Sequence, residues 1–163
     1  RVHQYLEEVP NYSSITFIIT MNNLSVSNLD KLLEGILNLR KQYSKDFQRV
    51  WFDTPVLTTP SWQSMQLLPE PYTMKLNRLK NWMNDNLETE DDLYHGFKDY
   101  EVKRLERDIN WMQTPLSDDY VNNQKADFYK FFNESDKRHG TDFLTSFPEM
   151  KEWWNECKRC SYE

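Results

Sequence analysis

The chain has 163 residues, of which 38% are hydrophobic, so it is long enough to bury the core of one average domain. Its formal net charge is −6 and its pI is near 5.2, which argues against a nucleic-acid partner because phosphate backbones repel an acidic protein. No segment approaches the ~20 consecutive apolar residues of a membrane-spanning helix. The three glycines also exclude glycine-rich phosphate loops. We expect a soluble, cytoplasmic protein that binds neither nucleic acid nor membrane.

The chain opens on an amphipathic pattern. Residues 1–9 place Val2, Tyr5, Leu6 and Val9 on one side, as the tail of a helix would. Since the first residue is Arg1 rather than Met, we expect a truncated reading frame. The next segment, 11–21 (NYSSITFIITM), is β-branched and aromatic, and its apolar run Ile15–Ile19 predicts a central strand buried on both faces.

A helix and a second strand follow this first strand. Apolar residues at helical spacing in 25–43 predict a core-facing helix with Ser25 or Ser27 as its N-cap. The aromatic and β-branched run 49–57 (RVWFDTPVL) predicts the second strand. A strand, a helix and a strand in about forty residues predict a βαβ unit with parallel strands.

Beyond this unit, the sequence predicts helices. The apolar run Met65–Leu68 is flanked by prolines and predicts an edge strand or an extended loop. Apolar residues at helical spacing then recur on both sides of the acidic stretch Glu88–Asp92. We therefore divide the chain into a first region, 1–69, with the strands and a second, helical region, 70–163.

The helical region ends in two aromatic helices. The first, 116–139, is predicted to stop at a left-handed Gly140. Its aromatic residues are expected to be largely buried: Phe128, Tyr129, Phe131 and Phe132. The second follows Thr141, with Pro148 as an early helical residue. An aromatic core explains these rings better than a base-stacking platform, because the nearby charge is mostly acidic.

Binding residues in parallel α/β structures lie at the carboxyl ends of the strands, where helix N-termini and loops converge. We therefore name six candidate binding residues at the two strand ends: Thr20, Asn22, Asn23, Asp53, Pro55 and Leu57. The alternative is that Asn22 and Asn23 make the turn and Asp53 caps it, as polar residues after strands usually do.

Two further patterns have mainly structural interpretations. Cys157 and Cys160 form a C-x-x-C pair, but a closed metal site needs four ligands and the three histidines lack metal-ligand spacing. We expect no metal site and no catalytic residue within this chain. The mixed-charge stretches 101–108 and 135–140 are interpreted as solvated helix faces.

Three segments carry a resemblance to a known family: 15–44 (ITFIITMNNLSVSNLDKLLEGILNLRKQYS), 49–69 (RVWFDTPVLTTPSWQSMQLLP) and 127–157 (DFYKFFNESDKRHGTDFLTSFPEMKEWWNEC). They resemble twitch-domain radical S-adenosylmethionine proteins, a group that includes proteins of marine phages. The first two are similar to the fifth strand, fifth helix and sixth strand of the partial TIM-type barrel, and the third to the terminal helical segment. The resemblance implies an α/β, mostly helical fold that forms the C-terminal portion of such a barrel.

The same resemblance implies an activity and its cofactors. The family cleaves S-adenosylmethionine reductively with a [4Fe-4S] cluster, and the resulting 5′-deoxyadenosyl radical abstracts hydrogen from a peptide or small-molecule substrate. It also implies a reductase or flavodoxin-type electron donor. The cluster-binding C-x-x-x-C-x-x-C motif does not occur in these residues, so the resemblance implies cluster ligands upstream of Arg1. The isolated chain should be inactive, and the six strand-end residues would face the adenosine side of the pocket.

A second hypothesis needs no cofactor. The chain could be a non-enzymatic helical interaction module whose acidic surface docks a partner and whose short β element is structural.

Overall fold

A computed structural model describes residues 1–162, and it is an α/β structure with 62% helix and one two-stranded parallel sheet. The helices and strands in chain order are α1 (Val2–Glu8), β1 (Ile15–Ile18), α2 (Leu29–Tyr43), β2 (Val50–Asp53), α3 (Glu70–Asp85), α4 (Asp99–Met112), α5 (Asp118–His139), α6 (Phe143–Ser146) and α7 (Lys151–Cys160). Short 3₁₀ turns cover Ser25–Asn28, Ser61–Gln63, Met65–Leu67 and Pro148–Met150. The predicted α/β class with mostly helical content is confirmed.

The sheet pairs β1 and β2 in parallel, with Ile15 opposite Val50 and Ile18 opposite Asp53, so the predicted βαβ unit is confirmed. The outer edge of β2 is covered by side chains. Arg40 Nε and Gln48 Nε2 donate to the Val50 carbonyl over 3.0 and 2.7 Å. The outer edge of β1 has no strand beside it within residues 1–162.

The prediction that β1 is a central strand buried on both faces is wrong. Paired residues of neighbouring strands lie on the same face, and the face with Val50 and Phe52 is buried. On the opposite face, Thr16 is exposed and Ile18 has 74% of its surface accessible. The apolar run suggested two covered faces, but the protein packs its core against one face of this sheet.

The start of α2 also differs from the prediction. A 3₁₀ turn precedes the helix, and Asn28 occupies the N-cap position without a side-chain hydrogen bond. Ser25 and Ser27 are therefore not its N-cap. Ser27 Oγ instead donates back to the Leu24 carbonyl over 3.0 Å, so both serines belong to the turn.

Beyond the βαβ unit, one predicted boundary is confirmed and two local predictions differ from the structure. Gly140 ends α5 with φ 65° and ψ 32°, as predicted. The segment Met65–Leu68 was predicted as an edge strand or extended loop, and this prediction is wrong for Met65–Leu67, which form a 3₁₀ turn capped by Ser64, while Leu68 is extended. Pro148 opens a 3₁₀ turn directly before α7 rather than lying inside a longer helix. The division at residue 69 stays a prediction, with α3 beginning at Glu70.

An aromatic cluster holds α5 against α6 and α7. Phe128 and Trp153 are almost completely buried, and Phe143 stacks on Trp154 with ring centroids 4.5 Å apart. Such pairs contribute about 0.5–1.5 kcal/mol beyond the area they bury. The prediction that Phe131 is largely buried is wrong, because half of its surface is exposed while its ring packs on Trp62.

Candidate functional site

The carboxyl ends of the two strands lie side by side, so the six predicted residues share one end of the sheet. The Met21 amide donates to the Pro55 carbonyl over 2.7 Å, and the Leu57 amide donates to the Met21 carbonyl over 2.9 Å. Thr20 and Pro55 are exposed, and Leu57 is half-buried. A molecule at this end of the sheet would reach these three residues from solvent.

The two asparagines are engaged by the fold itself. Asn22 Oδ1 accepts from the Leu24 and Ser25 amides over 2.8 and 3.0 Å, which makes it the cap of the turn after β1. Asn23 is completely buried, and its Nδ2 donates to the Trp62 carbonyl over 2.9 Å. Asn22 therefore makes the turn, as the alternative predicted, whereas Asn23 ties the turn to the Trp62 segment and its side chain is out of reach of a ligand.

Asp53 closes the end of β2 and makes two contacts. Its Oδ1 accepts from the Thr54 amide over 2.9 Å, and the same carboxylate pairs with Arg104 of α4. Half of the Asp53 side chain is exposed, so solvent screens this pair and it contributes little to stability. The pair fixes the carboxylate beside α4, and the sequence did not identify Arg104 as a neighbour of this strand end.

Beside this pair lies a buried acid, Asp108, that was not among the six predicted site residues. Asp108 has 1% of its side chain exposed, and its Oδ1 accepts from Arg107 Nε and Nη2 over 3.1 and 2.9 Å. Burial raises the pKa of Asp108 above the ordinary carboxyl value. The other oxygen, Oδ2, has no hydrogen-bond partner among the described residues.

The prediction that 101–108 is a solvated face is wrong for its two buried acids. Glu101 and Asp108 lie in the same apolar stripe of α4 as Val102, Leu105 and Ile109, all of which are buried. The spacing already indicated this burial, because positions i, i+4 and i+7 of a helix lie on one face, so Glu101 and Asp108 share a face with Leu105. What the spacing could not supply was the identity of the cations that compensate these carboxylates.

For Glu101 that cation is Arg40 of α2. The Arg40 Nη1 and Nη2 atoms donate to the two Glu101 oxygens over 2.9 and 2.7 Å, and both side chains are at most 1% exposed. Arg40 Nε and Nη1 also donate to the carbonyls of Val50 and Gly96. This geometry is bidentate and fully hydrogen-bonded, so it fastens β2 and the segment before α4 to α2.

The loop between α3 and α4 is held by a histidine. His95 Nδ1 lies 2.5 Å from Asp92 Oδ1, and its Nε2 lies 2.6 Å from the Ser44 carbonyl. The contact to Asp92, with help from that to Ser44, raises the pKa of His95 above its ordinary value. Both ring nitrogens face acceptors, so the protonated imidazolium satisfies both contacts.

The two cysteines have different surroundings. Cys157 is completely buried, and burial raises the pKa of its thiol, so the thiol stays protonated at neutral pH. Cys160 is partly exposed, and its Sγ donates to Asn122 Oδ1 over 3.6 Å. Within residues 1–162, no group of three or more histidine, cysteine or acidic side chains is arranged to hold a metal ion.

None of the helices in the described part of the chain is both long enough and apolar enough to cross a membrane. Comparisons of the sequence and of the structure with protein-family models, with curated proteins and with solved structures found no match.

Proposed function

We propose that this chain is the C-terminal part of a twitch-type radical S-adenosylmethionine enzyme. In this proposal, β1, α2 and β2 are the last portion of a partial TIM-type barrel, and α3 to α7 form the helical region beyond it. The observation that carries the proposal is the parallel β1–α2–β2 unit, in which the outer edge of β1 is unpaired within residues 1–162. This unit lies within the segments 15–44 and 49–69, which carry the family resemblance. In a partial barrel, this edge is where the preceding strand would pair.

Only some of the six strand-end residues would be able to contact S-adenosylmethionine. The side chains of Asn22, Asn23 and Asp53 are engaged by turns and by Arg104. Contact with the adenosine half would therefore come from Thr20, Pro55 and Leu57 and from the backbone beside them. These residues would form a wall of the pocket and take no part in proton or electron transfer.

The [4Fe-4S] cluster does not fit the residues described here. A cluster needs several thiolates, whereas Cys157 is buried and protonated. We therefore assign the cluster ligands to a segment upstream of Arg1 and derive no step of the reaction from this chain. The electron donor, a peptide or small-molecule substrate and a cytoplasmic location belong to the same proposal.

The test uses a longer protein that contains this chain, expressed and purified without oxygen. We expect iron and sulfide in equal amounts and formation of 5′-deoxyadenosine when the protein is reduced with S-adenosylmethionine present. Absence of both would refute the proposal. Thr20→Arg should weaken S-adenosylmethionine binding by crowding the strand end, whereas Ser146→Arg, at an exposed position of α6, serves as the control and should leave it unchanged.

A second candidate function is a non-enzymatic acidic interaction module, and one observation favours it. The acidic loop, Glu88–Asp92, is held in place by its first residue. Glu88 accepts a hydrogen bond from the Tyr94 amide over 3.3 Å and pairs with Lys98. The exposed side chains of Glu90 and Asp91 are therefore presented on an anchored loop. Under this hypothesis a basic peptide binds the loop with an affinity that falls as salt rises, and a Glu90→Gln, Asp91→Asn double variant loses that binding.

A further inference from the structure

A cleft of about 450 Å³ lies between α3 and the segment that leads into α7, and Ser27 of the turn after β1 also lines it. Its volume falls within the ~300–1,000 Å³ of small-molecule sites. Two aromatic side chains line it, Tyr72 of α3 and Trp153 of α7. The charged side chains along it are separated by sign, with cations on α3 and carboxylates on the opposite wall.

The α3 wall carries Lys75 and Arg78. Lys75 is already engaged, because its Nζ lies 3.0 Å from Asp30 Oδ1 and also donates to the Ser27 carbonyl. Arg78 makes no ion pair or side-chain hydrogen bond with any residue in 1–162. Its guanidinium is therefore the cation on this wall that is available to an incoming anion.

The opposite wall carries three carboxylates. Glu149 accepts from Asn28 Nδ2 over 2.9 Å, and Glu156 pairs with Lys125 over 2.5 Å. Glu152 has no hydrogen-bond or ion-pair partner in the described part of the chain, and it does not pair with the arginine across the cleft. Glu152 is therefore the carboxylate on this wall that is available to a cation.

The two aromatic residues between the walls differ in their access to a ligand. Burial raises the pKa of Tyr72, and the Glu149 and Glu152 carboxylates raise it further, so the phenol stays a neutral donor that faces negative charge. Trp153 is 1% exposed, its ring already has Lys125 Nζ 5.4 Å from the centroid, and its buried Nε1–H has no acceptor within the described residues. Tyr72 is therefore the aromatic ring that is open to a bound cation. Aromatic faces beside carboxylates are the usual surroundings of a bound ammonium group.

We propose that this cleft binds a small zwitterion of the α-amino-acid type. The ammonium group lies against Glu152 and the Tyr72 ring, and the carboxylate is held by the Arg78 guanidinium, for which carboxylates are the matching partner. The inference does not depend on the proposed radical chemistry, since it uses only the α3 and α7 walls.

The experiment titrates the chain with each of the twenty L-amino acids at up to ~10 mM, well above a Kd near 1 mM. The readout is the indole Nε1–H signal of Trp153 in ¹H–¹⁵N NMR spectra, assigned with a Trp153→Phe variant. At least one amino acid should shift this signal saturably. Its N-acetyl derivative, which lacks the cation, and its amide, which lacks the carboxylate, should each bind about tenfold more weakly or worse, as expected for loss of one charged hydrogen bond.

Two variants and two controls make the result specific. Arg78→Gln and Glu152→Gln should each weaken binding about tenfold, while Asp127→Asn on α5 and Arg159→Gln on α7, both exposed outside the cleft lining, should not. The proposal is overturned if no amino acid shifts the Trp153 signal. It is also overturned if the acetylated or amidated derivatives bind as well as the parent, or if the two cleft variants behave like the controls.

Discussion

Replacing Glu101 by glutamine will leave the Arg40 guanidinium buried without its counter-charge. Both side chains are at most 1% exposed, so water cannot take the place of the lost carboxylate. Breaking a buried, hydrogen-bonded ion pair in this way costs about 3–5 kcal/mol. A typical domain has about 5–15 kcal/mol of total stability, so the Glu101→Gln variant should lose between about a fifth and all of it.

Urea unfolding followed by tryptophan fluorescence measures this loss. The midpoint should fall while the dependence on urea concentration stays the same, because the surface exposed on unfolding is unchanged. In thermal unfolding the same loss corresponds to roughly 6–20 °C, at about 2–4 °C per kcal/mol for a chain of this size. Glu106→Gln is the matched control on the same helix, since its pair with Lys80 leaves the Glu106 side chain 51% exposed and should cost less than ~1 kcal/mol.

A double variant separates the loss of the pair from the loss of packing. Arg40→Met with Glu101→Leu removes both charges and keeps similar volume, so it should recover most of the stability lost in Glu101→Gln. The reasoning is refuted if Glu101→Gln costs no more than Glu106→Gln. It is also refuted if the double variant is less stable than the single one.

Three further predictions concern the α3–α4 loop and the sheet edge. The pKa of His95 is raised in the folded protein, so its contribution to stability is fully present below pH 6.5 and is lost as the pH rises through the pKa of the folded state. The midpoint of urea unfolding should therefore fall with rising pH. Asp92→Asn should make this fall smaller. A Cβ on Gly96 would lie 2.3 Å from the Glu88 backbone nitrogen, so Gly96→Ala should lower the free energy of unfolding by ~1–3 kcal/mol. Gly35 lies in α2, and a Cβ there would have open space within 4 Å, so Gly35→Ala should raise the free energy of unfolding by ~0.5–1 kcal/mol. The open edge of β1 favours self-association, so the sedimentation coefficient should rise with concentration, and Ile18→Lys should suppress that rise.

Each of these has an outcome that would contradict it. A midpoint that does not change between pH 6 and the alkaline side of the His95 transition would show that the histidine contacts contribute nothing. Equal stability of the two glycine variants would mean that the loop backbone yields at no cost. A wild-type chain that stays monomeric at all concentrations would show that the edge of β1 is protected.

The local features of the fold could be predicted because neighbouring residues determine them. Gly140 ends α5 because glycine adopts φ 65° without a steric penalty. The strand, helix and strand between residues 15 and 53 follow from a β-branched and aromatic run, a stretch with apolar residues at helical spacing and a second β-branched and aromatic run. Where a prediction about an element was wrong, as at Met65–Leu68, the apolar run was too short for its spacing to distinguish a strand from a turn of helix.

The candidate site was predicted to the extent that parallel strands align their carboxyl ends. The six predicted residues do lie at one end of the sheet, since Met21 and Val56 continue the pairing beyond β1 and β2. The sequence could not assign their contacts, because Asp53 pairs with Arg104 from a helix that is distant in the chain. The sequence likewise could not show that Asn23 would be completely buried.

What only the tertiary structure decided is which faces are covered and which charges meet. A periodic pattern identifies an apolar face, but it does not say whether another element covers it, and Ile18 stays 74% exposed because no element within residues 1–162 covers its side chain. Glu101 is buried because Arg40, 61 positions away, supplies the opposite charge. Burial of a charge is stable only where such a partner is present, and the presence of that partner depends on how the whole chain packs.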